Sequence, residues 1–93
     1  MTAKEAAALV REDPGQYLRF VQVAGEYRFG VVTSFTSHLD LVDEGEQVLS
    51  AGFVKVGCTV VVEGHSQKLG IGWATEDPEN IAKIFGLPVG DRY

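Results

Sequence analysis

His38 sits in the stretch Thr33-Ser-Phe-Thr-Ser-His-Leu-Asp40, where a run suited to β-structure meets residues suited to a helix start. A strand that feeds a helix N-terminus leaves backbone N–H groups exposed beside the positive end of a dipole, a setting that favours anions. A histidine there can exchange a proton near neutral pH, since its ordinary pKa is about 6.5. A lone histidine at such a joint is more often a hydrogen-bonded structural residue, because proton chemistry also needs a neighbour and a pocket.

Other residues could assist it. Arg19 shares a strand face with Tyr17, Val21 and Val23. Its guanidinium is suited to clamping a phosphate or carboxylate, although an Arg whose stem covers a sheet edge is the plainer reading. Ser66, Gln67 and Lys68 follow a glycine turn with His65, and these four are candidates for a rim. A metal site built from His38, Asp40, Cys58 and His65 lacks zinc-ligand spacing. Cys58 also alternates with Val54, Val56, Val60 and Val62, so it reads as a buried thiol with no partner to activate it. Gly70-Ile71-Gly72 lies within a strand pattern and lacks the remainder of a phosphate-loop fingerprint.

The elements that must position these residues follow from local signals. Thr2 and Glu5 have capping-box spacing, the alanine-rich run after them favours helix, and Pro14-Gly15 stops it. Gln16–Ala24 and Tyr27–Thr36 read as two strands around a turn at Gly25-Glu26, with Tyr27, Phe29, Val31, Thr33 and Phe35 on the core face. Ser37–Gly52 is expected to form a middle helix, with Val42, Val48 and Leu49 on its apolar side and Gly45 weakening it. Phe53–Val62 and Gln67–Ala74 are expected as the second pair of strands, joined by Glu63–Ser66; Leu69, Ile71 and Trp73 share one face of the latter. Asp77 as cap and Pro78 at the first position open a last helix, which Gly86 and Pro88 end, leaving Val89–Tyr93 as a loosely held tail. The expected fold is α+β, in the order α-ββ-α-ββ-α: a mostly antiparallel sheet of two hairpins with packed helices.

Composition narrows the class. The 93 residues suit one domain, 1–93, with 45% hydrophobic and 23% charged residues. A net charge of −5 argues against nucleic acid, which calls for basic patches. No run is long enough for a membrane helix, and the charges at Lys4, Glu5, Arg11, Glu12 and Asp13 are unlike a signal peptide. One cysteine cannot form an internal disulfide, so the expected location is cytoplasmic.

In this order the chain resembles the protein histidine phosphatase family of the Janus and Ocnus proteins. Gly15-Gln-Tyr-Leu-Arg-Phe-Val-Gln-Val23 is similar to the family's first strand, with Arg19 at its phosphate-contacting basic position. Ser37-His-Leu-Asp-Leu-Val-Asp43 resembles the segment carrying the catalytic histidine, Gly57-Cys58 matches a Gly-Cys pair, and Gln67–Ala74 resembles the last strand, with Gly72, Trp73 and Ala74 at phosphate-lining positions. The resemblance implies a phosphatase-like hydrolase without metal or other cofactor, cleaving a phosphohistidine-type P–N bond. His38 would be the general base, and Arg19, Gly72 and the backbone N–H groups at Leu39 and Ala74 would hold the phosphoryl oxygens. The partner would be a phosphorylated protein or a small anion.

The chain departs from the family in several places. Its first hairpin loop is nearly absent, the glycine-rich loop before the last strand shrinks to Glu63-Gly-His-Ser66, Arg replaces Lys at position 19, and Ala74 replaces a serine. Asp40, Asp43 and Glu44 add negative charge beside His38. A non-catalytic domain that binds an anion or a protein through the same cleft is therefore the alternative reading.

Overall fold

Alternating apolar residues in the first half of the chain build a hairpin around which the rest packs. The structure, a computed structural model, describes residues 1–32 and 37–90. Helix α1 spans Ala3–Glu12, and strands β1 (Gln16–Val23) and β2 (Glu26–Val31) follow it. A single 3-10 turn at His38–Leu41 leads to β3 (Val48–Val56) and β4 (Val60–Glu63). Two short strands, β5 (His65–Ser66) and β6 (Ile71–Gly72), precede helix α2 (Asp77–Phe85). Four strands form one antiparallel sheet in the order β2-β1-β3-β4, and β5-β6 is a separate antiparallel ribbon. The fold is thus a small α+β one, with two α-helices among the described residues.

The expected middle helix over Ser37–Gly52 is not formed. Its first residues make one 3-10 turn, Gly45 takes a left-handed φ of 85°, and Val48–Gly52 belong to β3. Sheet pairing prevails over helical spacing here, because β3 gains β1 as a partner along its whole length. The expected strand Phe53–Val62 is instead the end of β3, a turn and β4. Val56 pairs with Val60 and Val54 with Val62, so these four valines still share the buried face. Cys58 falls at the tip of that turn and is exposed, not buried. The expected strand Gln67–Ala74 shrinks to Ile71–Gly72. Ser66 closes a turn in front of it, its hydroxyl accepting from Leu69 N–H at 3.2 Å and its carbonyl from Gly70 N–H at 2.9 Å, with Gly70 at φ 66°. Leu69 and Ile71 pack on one face of the main sheet and Trp73 on the other.

The first hairpin turns at Ala24-Gly25, one residue earlier than expected, and both residues have positive φ, 52° and 80°. That pairing suits the right-handed twist of a two-residue hairpin. The expected second strand stops at Val31; Thr33–Thr36 lie outside the described residues.

Both helices cover one face of the sheet. Ala6 and Val10 of α1 and Ile81 and Ala82 of α2 meet Leu18, Phe20, Phe29, Val54 and Val62 in one core. Phe29 and Phe85 meet edge-on at 5.4 Å. The Thr2–Glu5 capping box is present, and the Thr2 N–H bond to the Glu5 carboxylate, aided by the Thr2 hydroxyl, holds that carboxyl below its usual pKa.

The two outer strands are covered by chain ends. The Met1 ammonium donates to Phe29 O at 2.7 Å, and Phe29 N–H returns a bond to Met1 O at 2.9 Å. At the opposite edge Val60 N–H donates to Pro88 O at 2.9 Å, and Gly90 N–H donates to Val60 O at 2.8 Å. Val89 and Gly90 are therefore paired rather than loose, and an otherwise open strand edge is occupied.

Asp77 begins α2 instead of preceding it, and its fully buried carboxylate serves two other donors. It accepts Tyr27 Oη–H at 2.6 Å and Ala74 N–H at 2.7 Å, while Asn80 Nδ2 donates to Tyr27 Oη at 3.2 Å. Burial, reinforced by the Asp77 carboxylate, pushes the Tyr27 pKa upward. Tyr27 thus closes the core and leaves its hydroxyl satisfied. Tyr27→Phe will lower stability by about 1–3 kcal/mol, since it removes a donor from a buried carboxylate; urea unfolding of both proteins checks this.

Candidate functional site

The sheet face away from the helices is covered by irregular chain. Strand alternation sends Tyr17, Arg19, Val21 and Val23 to this side, and the antiparallel register sets Phe53 beside Arg19 and Ala51 beside Val21. Leu41, Val42, Leu69 and Ile71 pack over Val21, Val23 and Ala51. This cover ends toward Tyr17 and Phe53, where a cleft of about 480 Å³ opens between the His38 turn and the His65–Lys68 segment.

The turn carrying His38 is held at both ends. Ser37 N–H donates to Asp40 Oδ2 at 2.6 Å, so a carboxylate of the chain itself already occupies the start of the turn. Arg28 holds the far side: Nη1 donates to Leu41 O at 3.0 Å, and the guanidinium grips Glu46 through two bonds of 2.6 and 2.7 Å. Glu46 also accepts Asp43 N–H at 2.7 Å. The Arg28 bonds, helped by that amide, lower the Glu46 pKa to about 2, and the same pairing raises that of Arg28.

His38 is buried, with Nε2 2.8 Å from the Gly52 carbonyl. A carbonyl only accepts, so Nε2 carries the proton and Nδ1 is the unprotonated nitrogen of the neutral ring. The ring meets Phe53 edge-on at 5.0 Å. Burial lowers the His38 pKa; the Gly52 bond acts in the opposite direction, and the positive charges of Arg19 and His65 add to the lowering. Gly52 and Gly64 allow the close approach. A Cβ at Gly52 would stand 2.8 Å from Glu63 O, and one at Gly64, where φ is 74°, would stand 2.9 Å from the Phe53 ring.

Of the residues singled out by sequence, His38, His65, Ser66 and Lys68 line the same cleft. Ser66 is buried and its hydroxyl holds the following turn, whereas His65 and Lys68 are exposed. Arg19 lies on this face but does not line the cleft; its Nη1 donates to the carbonyls of Val31 and Val32 at 3.4 and 3.3 Å. Leu39 follows His38, is 47% exposed and also does not line the cleft. Gly72 pairs with His65 in the ribbon, and the Ala74 amide is committed to Asp77. Arg19, Leu39, Gly72 and Ala74 are therefore not brought together with His38 around the cleft. Among the described residues, no three His, Cys, Asp or Glu side chains are grouped as a metal would require.

Gln67, another of the rim candidates, also lines the cleft, as do Tyr17 and Phe53, which the sequence does not single out. Tyr17 stacks on Phe53 at 5.6 Å, with Lys55 Nζ 5.7 Å from the Tyr17 ring centre. Their signal is the shared strand face of Tyr17 and Arg19, but it identifies Phe53 only once the β1–β3 register is known.

The lowered His38 pKa fixes the direction of a stability change. Its contribution is fully present above the unfolded-state value of about 6.5 and is lost as pH falls through the lower folded-state value. On moving from about pH 7 to about pH 5, the wild type will lose more stability than His38→Gln, which keeps an N–H for Gly52 but does not titrate. Urea midpoints at the two pH values test this.

Comparison with known protein families, with curated proteins and with solved structures returns no match for this chain.

Proposed function

We propose that this chain is a non-catalytic binding domain that takes a small anion in the cleft beside His38. The observation that carries the reading is the convergence of His38, His65 and Lys68 on one space, while Arg19 and the Ala74 amide are engaged within the fold. Phosphoryl transfer depends on positioned charge around the transferring group, and those two were the expected holders of its oxygens. Binding makes a smaller demand: a cation at the rim and a shaped wall suffice. Glu63 also lines the cleft, but it lies 3.3 Å from Lys55, which offsets its charge.

One observation favours hydrolysis as a second reading. A neutral His38 with Nδ1 unprotonated is in the state a general base requires. On that reading Nδ1 takes a proton from a water whose oxygen bonds to phosphorus as the P–N bond of a phosphohistidine-type substrate breaks, and the departing imidazole nitrogen receives that proton back from His38.

Titration of inorganic phosphate, followed by amide and histidine-ring NMR, tests the binding reading. Saturable shifts are expected at His65, Lys68 and His38, with affinity falling roughly two- to fivefold in Lys68→Gln, as suits one exposed charge. Absence of shifts at high millimolar phosphate would contradict the proposal. Turnover of a phosphoramidate that disappears in His38→Gln would establish the second reading in its place.

A further inference from the structure

A bare inorganic anion would leave most of this cleft unfilled. Its volume of about 480 Å³ is the size of a small-molecule site. Much of its wall is aromatic: Phe53 carries the Tyr17 ring at 5.6 Å with 24° between planes, and the His38 ring edge at 5.0 Å. A Tyr–Phe pair on a sheet is ordinary packing by itself. This pair differs in its setting, because the cover of Leu41, Leu69 and Ile71 stops short of it and leaves Tyr17 38% exposed.

His38 adds a directional group to that wall. With Nε2–H donated to Gly52, the neutral ring offers only a lone pair at Nδ1. Among the described residues no buried polar side-chain atom lacks a partner, and the bond to Gly52 is the one that His38 makes there. The ring that carries Nδ1 lines the cleft. The cleft thus combines an aromatic wall, the oriented His38 ring and, on the ribbon side, the Lys68 ammonium and the His65 imidazole.

We propose that the ligand is a small aromatic acid bearing a hydrogen-bond donor on its ring. The ring lies against Tyr17 and Phe53, the acid group meets Lys68 and His65, and the donor reaches His38 Nδ1. This inference rests on the anion-binding reading and specifies the body attached to the anion. A phenol, indole or aniline N–H or O–H meets the requirement; a bare benzoate-like acid meets only part of it.

Three probes separate the two ideas: inorganic phosphate, phenylacetate and para-hydroxyphenylacetate, each titrated into the full chain near neutral pH with amide NMR as readout. Affinity is expected to rise from phosphate to phenylacetate to the hydroxylated acid. The last step should amount to roughly two- to tenfold, the value of one neutral hydrogen bond. Shifts from both acids should map to Tyr17, Phe53 and Lys68. His38→Gln should erase the difference between the two acids, and Tyr17→Leu should narrow the gap between phenylacetate and phosphate. Phosphate binding with no gain from either acid would overturn this inference and leave the anion site standing. No binding by any probe would overturn both. A hydroxyl advantage that persists in His38→Gln would remove His38 as the acceptor and overturn the assignment.

Discussion

Gly52 joins the sheet to the chain that covers it. Its carbonyl receives the Nε2–H of His38 at 2.8 Å, and its missing side chain lets the backbone at Glu63 and Gly64 cross close by. A methyl group there would stand 2.8 Å from Glu63 O and 3.1 Å from Phe20. The His38 turn and the β5-β6 ribbon approach from opposite directions in sequence, and both are located by contacts at this part of β3. The cleft exists because these two covers do not meet over Tyr17 and Phe53.

The two faces of the sheet are stabilised by different physics. The helix face is a hydrophobic core of valine, leucine and phenylalanine, where area removed from water is the main term. Its polar exceptions are satisfied: Asp77 by Tyr27 and Ala74, and Ser50 by Gln22 at 3.0 Å. The other face has a smaller apolar cluster and relies on directional contacts, chiefly the Arg28–Glu46 pair and the Arg28 bond to Leu41. Burial is the chief reason that His38 is held neutral, and the charges of Arg19 and His65 act in the same direction.

What could be read from sequence depended on whether the signal was local. Thr2 and Glu5, the Gly25 turn, and Pro78 with Gly86 announce their structures within a few residues, and α1, the first hairpin and α2 follow them closely. Val42, Val48 and Leu49 have helical spacing, yet β3 replaces the expected helix because its partner β1 lies about thirty residues earlier in the chain. The site divides in the same way. His38, His65, Ser66 and Lys68 stand out by residue type and local position. Phe53 becomes part of the wall only through the Arg19–Phe53 register, and the commitments of Arg19 to Val31 and Val32 and of Ala74 to Asp77 are tertiary. Sequence identifies such donors but not the acceptors that already hold them.

His38 is a neutral, oriented acceptor whose Nε2–H is held by Gly52. Ring-nitrogen NMR of the wild-type protein, recorded across the pH range around neutrality, tests it most directly. The Nε2-protonated tautomer is expected near pH 7, with a titration midpoint below the ordinary histidine value of about 6.5. A ring protonated at Nδ1, an even mixture of tautomers, or a midpoint at or above that value would contradict it.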